Sequence, residues 1–246
     1  MAALESIKDT VLIRDRIYKM LRKEILNGGF APGETLNILN ISKQLGVSGA
    51  PVREALTLLN KDGLVDMMPY KKARVAEGSL EDYKVAYDVR LMLEPYALER
   101  SIDLIPEDEI KELRARMLAM YDNPTSISDF YDCDTAFHRM LYSHSESSLL
   151  TKTLDSLKTY TTRFYAYVNH EQKLMDDPWE TTIETIRVET REHLLILEAV
   201  SRRNKEAACS LLREHISTNS VVLVEKAKKE WEEREKENTP LATAGS

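Results

Sequence analysis

The chain of 246 residues is 43% hydrophobic and 30% charged, a composition typical of a folded globular protein with one or two domains. It has no apolar run of the about 18 residues that a membrane helix needs and no secretory signal at its start, so we expect a cytoplasmic protein with no membrane partner. The net charge of -7 excludes a uniformly basic nucleic-acid binder, but residues 1–76 carry 12 basic against 8 acidic side chains, or +4, while the rest carries 22 against 33, or -11.

The first predicted element is a helix that ends at Asn27-Gly28-Gly29, where glycine interrupts the helical pattern. A turn at Pro32-Gly33 follows it. The helix is predicted from apolar residues that recur at helical spacing, namely Val11, Ile13, Ile17, Met20, Leu21 and Ile25.

A helix-turn-helix is predicted next. Ile41 and Leu45 belong to a short helix that Gly46 ends, because glycine readily adopts the positive φ of a sharp turn. Ser48 is expected to cap the second helix through its hydroxyl, and Pro51 suits its first turn. This second helix resembles a recognition helix, whose first residues and outward side chains face the major groove. The candidate DNA-binding residues on it are Ser48, Gly49, Ala50 and Arg53.

A β-wing is predicted after this helix. The segments 64–68 and 73–75 read as two short strands, and the turn between them, residues 69–72, has a basic tip. Basic side chains at a wing tip are suited to contact with phosphates. The candidate residues are Lys71, Lys72 and Arg74.

The rest of the chain is predicted to be an all-α bundle. Ser79 and Asp82 offer a capping box at its start, and no strand-like alternation follows residue 78. We therefore expect a DNA-binding domain at 8–77, a helical domain at 78–234 and a disordered tail at 235–246. The predicted helices of the bundle span about 79–102, 106–121, 126–146, 149–170, 178–202 and 204–234.

One carboxylate and three histidines on this bundle form a candidate metal site. Asp134 and His138 are four residues apart and share one face of a helix, although such a pair is also common as a surface ion pair. His193 and His215 lie beside apolar residues on two further helices that should face the core. Imidazole and carboxylate together suit a divalent ion, with zinc as the leading candidate and nickel, manganese or iron as alternatives.

Two polar residues are candidates for contact with a small molecule. Arg90 lies in an otherwise apolar helical stretch, so it either pairs with a carboxylate such as Glu94 or faces a polar cavity. Asn219 follows His215 by one helical turn, where an exposed position is the alternative. The two cysteines, Cys133 and Cys209, are interpreted as small buried side chains and not as a disulfide or metal pair.

Together these motifs resemble the GntR family of bacterial transcription regulators, in the branch whose C-terminal part is the helical FCD domain. The resemblance covers residues from about 10 to about 230. The motifs that carry it are Pro32-Gly33, the run from Leu45 to Leu56, Asp62-Gly63-Leu64-Val65, the arginine Arg90 and the quartet Asp134, His138, His193 and His215.

The resemblance implies a homodimer that binds a double-stranded DNA operator, with a metal and a small organic-acid effector in the bundle. The effector would change operator binding because it binds with different affinity to two arrangements of the DNA-binding domains. This chain departs from the family pattern at Leu39 and Gly49, where arginines are usual. Since arginine reads guanine through two hydrogen bonds, we expect an altered operator sequence.

Two alternatives remain at this point. The quartet could belong to a metal-dependent hydrolase, with Glu192 or Glu214 as base, although both precede a histidine and should point about 100° away from the ligand direction. No nucleophile motif or phosphate-binding glycine loop accompanies the site. The missing arginines also leave open a scaffold whose DNA-binding domain has lost its function.

Overall fold

The computed structural model describes residues 6–69, 72–173 and 179–219, with the single residue 225. In the N-terminal part the elements are α1 (Ser6–Leu26), β1 (Thr35–Asn37), α2 (Ile38–Leu45), α3 (Gly49–Lys61), β2 (Val65–Met68) and β3 (Lys72–Val75). The helices that follow are α4 (Leu80–Ser101), α5 (Glu107–Asp122), α6 (Ile127–Ser143), α7 (Ser148–Lys173), α8 (Trp179–Ser201) and α9, whose described part is 205–219. No described helix is long and apolar enough to cross a membrane.

The helix-turn-helix consists of α2 and α3 and has the predicted turn. Gly46 adopts φ +65° and ends α2, and the next backbone N–H, of Val47, donates to the Ser42 carbonyl at 3.0 Å. Ser48 occupies the cap position of α3, but its side chain accepts no hydrogen bond from the helix, so the predicted hydroxyl cap is wrong. The side-chain cap in this motif belongs to Asn37, which precedes α2 and accepts hydrogen bonds from two backbone N–H groups.

The wing belongs to a three-stranded antiparallel sheet in the order β1-β3-β2. Its two predicted strands are present, with β2 beginning one residue later and β3 one residue earlier than expected. Because β3 includes Lys72, this residue lies on a strand and pairs with Met68 across the sheet. The third strand, β1, was not predicted, since three residues are too few to show an alternating pattern.

The body is helical, as predicted, and each described helix boundary lies within three residues of its predicted position. At the start of α4, the Ser79 hydroxyl accepts a hydrogen bond from the backbone N–H of Asp82 at 3.1 Å, which is one of the two hydrogen bonds of the predicted capping box. The described residues after Val75 contain no strand. The predicted tail at 235–246 lies outside the described residues.

The head, residues 6–76, is packed directly against the body. One hydrophobic cluster contains Ile17 and Leu21 of α1 together with Tyr83 of α4 and Phe164 of α7. A salt bridge of 2.7 Å joins Arg22 of α1 to Asp132 of α6, and the Asn27 side chain accepts a hydrogen bond from the Ser128 backbone. Head and body therefore share a core and polar contacts.

Candidate functional site

The four predicted metal ligands come together between α6, α8 and α9. One ligand atom from each of Asp134, His138, His193 and His215 lies within 4.8 Å of the other three. The three histidines are buried, and the aspartate is partly buried. The Asp134 Oδ1 atom lies 3.4 Å from His138 Nε2 and 3.5 Å from His193 Nε2.

Two glutamates outside this quartet fix the orientation of two of its histidines. Glu94 of α4 is 2.7 Å from His138 Nδ1, and Glu192 of α8 is 2.7 Å from His215 Nδ1. A carboxylate at Nδ1 holds an imidazole proton there, so the neutral form of each ring has its lone pair on Nε2, facing the quartet. The site thus has the carboxylate–imidazole arrangement typical of metal-binding histidines.

The burial of charged groups around His138 has consequences for protonation. Burial alone would lower the pKa of His138, but the carboxylates of Glu94 and Asp134 outweigh it and raise this pKa to about 9. Burial opposes the ionisation of Glu94, yet Arg90 and His138 lower its pKa to about 2. Similarly, despite burial, His138 and His193 lower the pKa of Asp134 well below its usual range.

The other two histidines are shifted in the opposite direction. Burial and then the proximity of His215 lower the pKa of His193 well below its usual value. Burial also lowers the pKa of His215, although the hydrogen bond to Glu192 opposes this change. Both rings are therefore neutral at pH 7, the state in which imidazole binds a metal.

The donor set and its spacing fit a divalent metal ion. Nε2 of His193 and Nε2 of His215 are 3.0 Å apart. Ligand atoms that each lie about 2.0–2.1 Å from a zinc ion are about 3 Å from one another. Three imidazoles and one carboxylate would leave coordination positions for water or a ligand.

Arg90 both pairs with Glu94 and faces a polar cavity, the two alternatives that the sequence left open. Its Nε atom is 2.5 Å from Glu94 Oε1, and its guanidinium lies 4.7 Å from the centre of the Tyr87 ring. It also lines a cavity of about 30 Å³ beside the quartet, together with Glu94, Asp134 and His138. This volume has room for about one water molecule.

The remaining polar candidates lie at the edge of the site. Asn219 Nδ2 is 3.4 Å from His215 Nδ1, so the spacing of one helical turn does bring the two residues together. Glu192 contacts the quartet only from outside, because its carboxylate reaches Nδ1 of His215 and not the Nε2 atom that faces His193. Cys133 is buried as predicted, whereas Cys209 is partly exposed, and both are free thiols.

The sequence indicated the pairing of Glu94 with Arg90 but not the contact of Glu94 with His138. The spacing of four residues between Arg90 and Glu94 signals an ion pair on one helix face. Nothing in the local sequence links Glu94 to His138, which is 44 residues away and on another helix. Only the packing of α4 against α6 brings this carboxylate to the quartet.

The head presents most of its candidate residues to solvent. Ser48, Ala50 and Arg53 are exposed at the start of α3, whereas Pro51 and Val52 face the core. Gly49 is half-buried, and a Cβ atom there would meet Ile38 Cγ2 at 3.5 Å, an ordinary van der Waals contact. Of the wing candidates, Lys72 and Arg74 are exposed on β3, and Lys71 lies outside the described residues.

Comparison with known families and relatives agrees with this two-part architecture. Residues 13–75 match the family described as bacterial regulatory proteins, gntR family, and residues 85–218 match the FCD domain. The chain is 32% identical over 197 residues to the uncharacterized HTH-type transcriptional regulator YdhC of Bacillus subtilis, covering 78% of this chain and 83% of that protein. It is 24% identical over 230 residues to the HTH-type transcriptional repressor RspR of Escherichia coli, covering 92% and 96% of the two proteins.

Solved structures show the same fold. The Escherichia coli protein McbR/YncC aligns with a TM-score of 0.65 at 20% identity, over 87% of this chain and 98% of that one. A GntR regulator from Rhodococcus sp. RHA1 aligns with a TM-score of 0.61 at 24% identity, over 86% and 97%.

Proposed function

Since this chain belongs to the gntR family of bacterial regulatory proteins and its body is an FCD domain, we propose that it binds an operator as a homodimer under the control of a small organic acid. The chain is a DNA-binding transcription regulator and not an enzyme, because the matched relatives are transcription regulators.

The observation that carries the proposal is the convergence of Asp134, His138, His193 and His215 around one point. These residues would hold one divalent ion, with zinc as the leading candidate. When bound, the ion would attract the carboxylate of an organic acid to an open coordination position. Glu94 and Glu192 would keep the two imidazoles that they contact in the ligating orientation.

Arg90 and Asn219 are the proposed effector contacts beside the metal. Among the described residues, Arg90 hydrogen-bonds through Nε to Glu94, and its two Nη groups remain as donors for a carboxylate. Asn219 adds an amide next to His215. Both residues would bind the acid more tightly in one arrangement of the heads, which is the condition for coupling to DNA affinity.

The proposed DNA contacts are on α3 and the wing. Ser48, Gly49 and Ala50 would approach base edges closely because their side chains are small, and Arg53 would contact bases or phosphates. The basic side chains of the wing would bind phosphates of the adjacent DNA backbone. A two-fold dimer would present two such surfaces to two half-sites. The proposed wing residues are Lys71, Lys72 and Arg74.

The test is operator binding by the full chain, measured by fluorescence anisotropy on DNA from upstream of its own gene. We expect specific binding that changes when the metal-loaded protein meets an organic acid, and about one divalent ion per chain after purification without a histidine tag. DNA binding that is equally weak on every sequence, under all metal and acid conditions, would contradict the proposal.

The hydrolase alternative has no comparable support. The carboxylate of Glu192, one of its two possible bases, is already paired with His215 Nδ1 at 2.7 Å. The side chain of Glu214 is exposed on α9. Neither carboxylate is therefore placed as a free general base facing the quartet.

A further inference from the structure

A groove of about 670 Å³ separates the head from the body. One wall is formed by α1 and the end of α3, and the other by α6 and α7. Binding sites for small molecules typically have volumes of about 300–1,000 Å³ and often lie between domains. The groove is therefore large enough for a metabolite that would contact both parts of the chain.

The charges of the groove favour an anion. Its acidic side chains already have partners: Asp132 pairs with Arg22, Asp155 with Arg139 and the Tyr142 hydroxyl, Asp62 with the Tyr18 hydroxyl, and Asp129 with Ser126 and Thr125. Four lysines of the lining form no ion pair within 4 Å of a carboxylate of the described residues. These are Lys19, Lys23 and Lys61 of the head and Lys158 of the body.

The groove adjoins the small cavity at the quartet. Thr135 and Lys158 line both spaces, and Thr135 directly follows Asp134 on α6. Lys158 is half-buried at this junction. An acid whose one end lies beside the quartet cannot fit into about 30 Å³, and Lys158, which lines both spaces, marks the side on which the rest of the acid would reach the groove.

We propose that the head–body groove is a binding site for a small molecule with two or more anionic groups, held by Lys158 at its inner end and by Lys61 and Lys19 of the head at its outer end. The inference rests on the proposed function, and it names the chemical class of the effector and the second domain that the effector contacts. Charge-assisted hydrogen bonds from lysines serve carboxylates and phosphates alike. A ligand that bridges α1, α3 and α7 stabilises one arrangement of the recognition helix relative to the body.

Isothermal titration of the metal-loaded full chain without DNA tests this site. The probes are tricarballylate for carboxylates, fructose 1,6-bisphosphate for phosphates and acetate as the singly charged comparison. We expect at least one multiply charged probe to bind, and acetate to bind at least about tenfold more weakly. Which of the two binds identifies the source of the anionic groups, and no binding by either overturns the proposal.

Variants locate the bound probe. Lys158→Gln and the exposed Lys61→Gln should each weaken binding about tenfold, whereas Lys111→Gln, an exposed lysine of α5 outside the groove, should not. Because Lys61 is exposed, its variant remains informative if Lys158→Gln does not fold. Binding that is unchanged in Lys61→Gln and Lys158→Gln, or that is lost in Arg53→Gln on the DNA-facing surface, overturns the proposal.

The outcome is separable from that of the proposed function. Titration without DNA, compared between the wild type and the Lys61→Gln and Lys158→Gln variants, reports on the groove, and operator binding without any acid reports on the regulator. A chain that binds its operator but takes up no polyanion retains its regulatory role and loses the groove site. A chain that binds the polyanion but no operator retains the groove site and loses the proposed regulatory role.

Discussion

Nε2 of His193 and Nε2 of His215 face each other at 3.0 Å, although the residues are on different helices. The hydrogen bond from His215 Nδ1 to Glu192 places a lone pair on His215 Nε2. His193 Nδ1 is buried and has no hydrogen-bond partner among the described residues, and its ring packs against Phe137. A cation between the two Nε2 atoms would convert this pair of facing nitrogens into a pair of ligands.

The first prediction concerns the number of protons that the quartet releases when it binds a metal ion. His138 has a pKa of about 9 without metal, whereas the pKa values of His193 and His215 are lowered by burial. A ligating imidazole must be neutral, so at pH 7 metal binding should release one proton, from His138, and not three. The apparent affinity should therefore rise about tenfold per pH unit up to about pH 9.

Competition with a chromophoric chelator at pH 7, 8 and 9 measures this slope, and titration in two buffers of different ionisation enthalpy counts the proton. An affinity that does not change between pH 7 and 9 would show that His138 is neutral in the metal-free chain.

The second prediction concerns Glu94, which contacts both Arg90 and His138. Glu94→Gln should weaken metal binding about 10–100-fold, because the imidazole loses the carboxylate that orients it. The same change leaves buried Arg90 without its ion-pair partner, so the free energy of unfolding should fall by about 3–5 kcal/mol. Denaturant unfolding of the metal-free chain measures the second effect separately from the first.

Glu99→Gln is the matched control, since Glu99 is an exposed glutamate on the same helix. It should change neither metal affinity nor stability measurably. If Glu94→Gln retains full metal affinity, Glu94 serves only as the ion-pair partner of Arg90.

The third prediction concerns Arg53, which is exposed on α3. Arg53→Ala should abolish specific operator binding and leave body folding and metal content unchanged. If the contact is to a phosphate, the slope of log affinity against log salt should also fall by about one. Arg202→Ala, which removes an exposed body cation, should leave operator binding as in the wild type, and equal affinity of the two variants would refute this role for Arg53.

The fourth prediction concerns base recognition at Gly49. Gly49→Arg should fold normally, because a Cβ atom there meets ordinary contacts and the position needs no positive φ. The added guanidinium should favour operators with guanine by about 1–3 kcal/mol over the same site with adenine. Selection from a randomised operator library measures the shift. An unchanged base preference would place Gly49 away from the major groove.

Much of the fold could be predicted because its signals are local. Helical spacing of apolar residues, the turn at Gly46 and the side-chain cap by Ser79 each act within a few residues of the chain, and all three are present as expected. The strand β1 escaped prediction because its pairing with β3 joins segments more than 30 residues apart, and three residues carry no pattern of their own.

The candidate site was predictable in part. Asp134 and His138 are linked by helical spacing, but their meeting with His193 and His215 was inferred from resemblance and from apolar neighbours, since no local signal joins three helices. The groove could not be predicted at all. It depends on how α1 lies against α6 and α7, which is a matter of tertiary packing.

The shared apolar cluster of head and body, which contains Ile17 and Tyr83, has a consequence for thermal behaviour. Two domains without common packing melt independently, whereas this chain should show a single calorimetric transition. Additives that stabilise the body against thermal unfolding should then stabilise the head to the same degree. An isolated head would expose the hydrophobic surface of α1 and tend to aggregate.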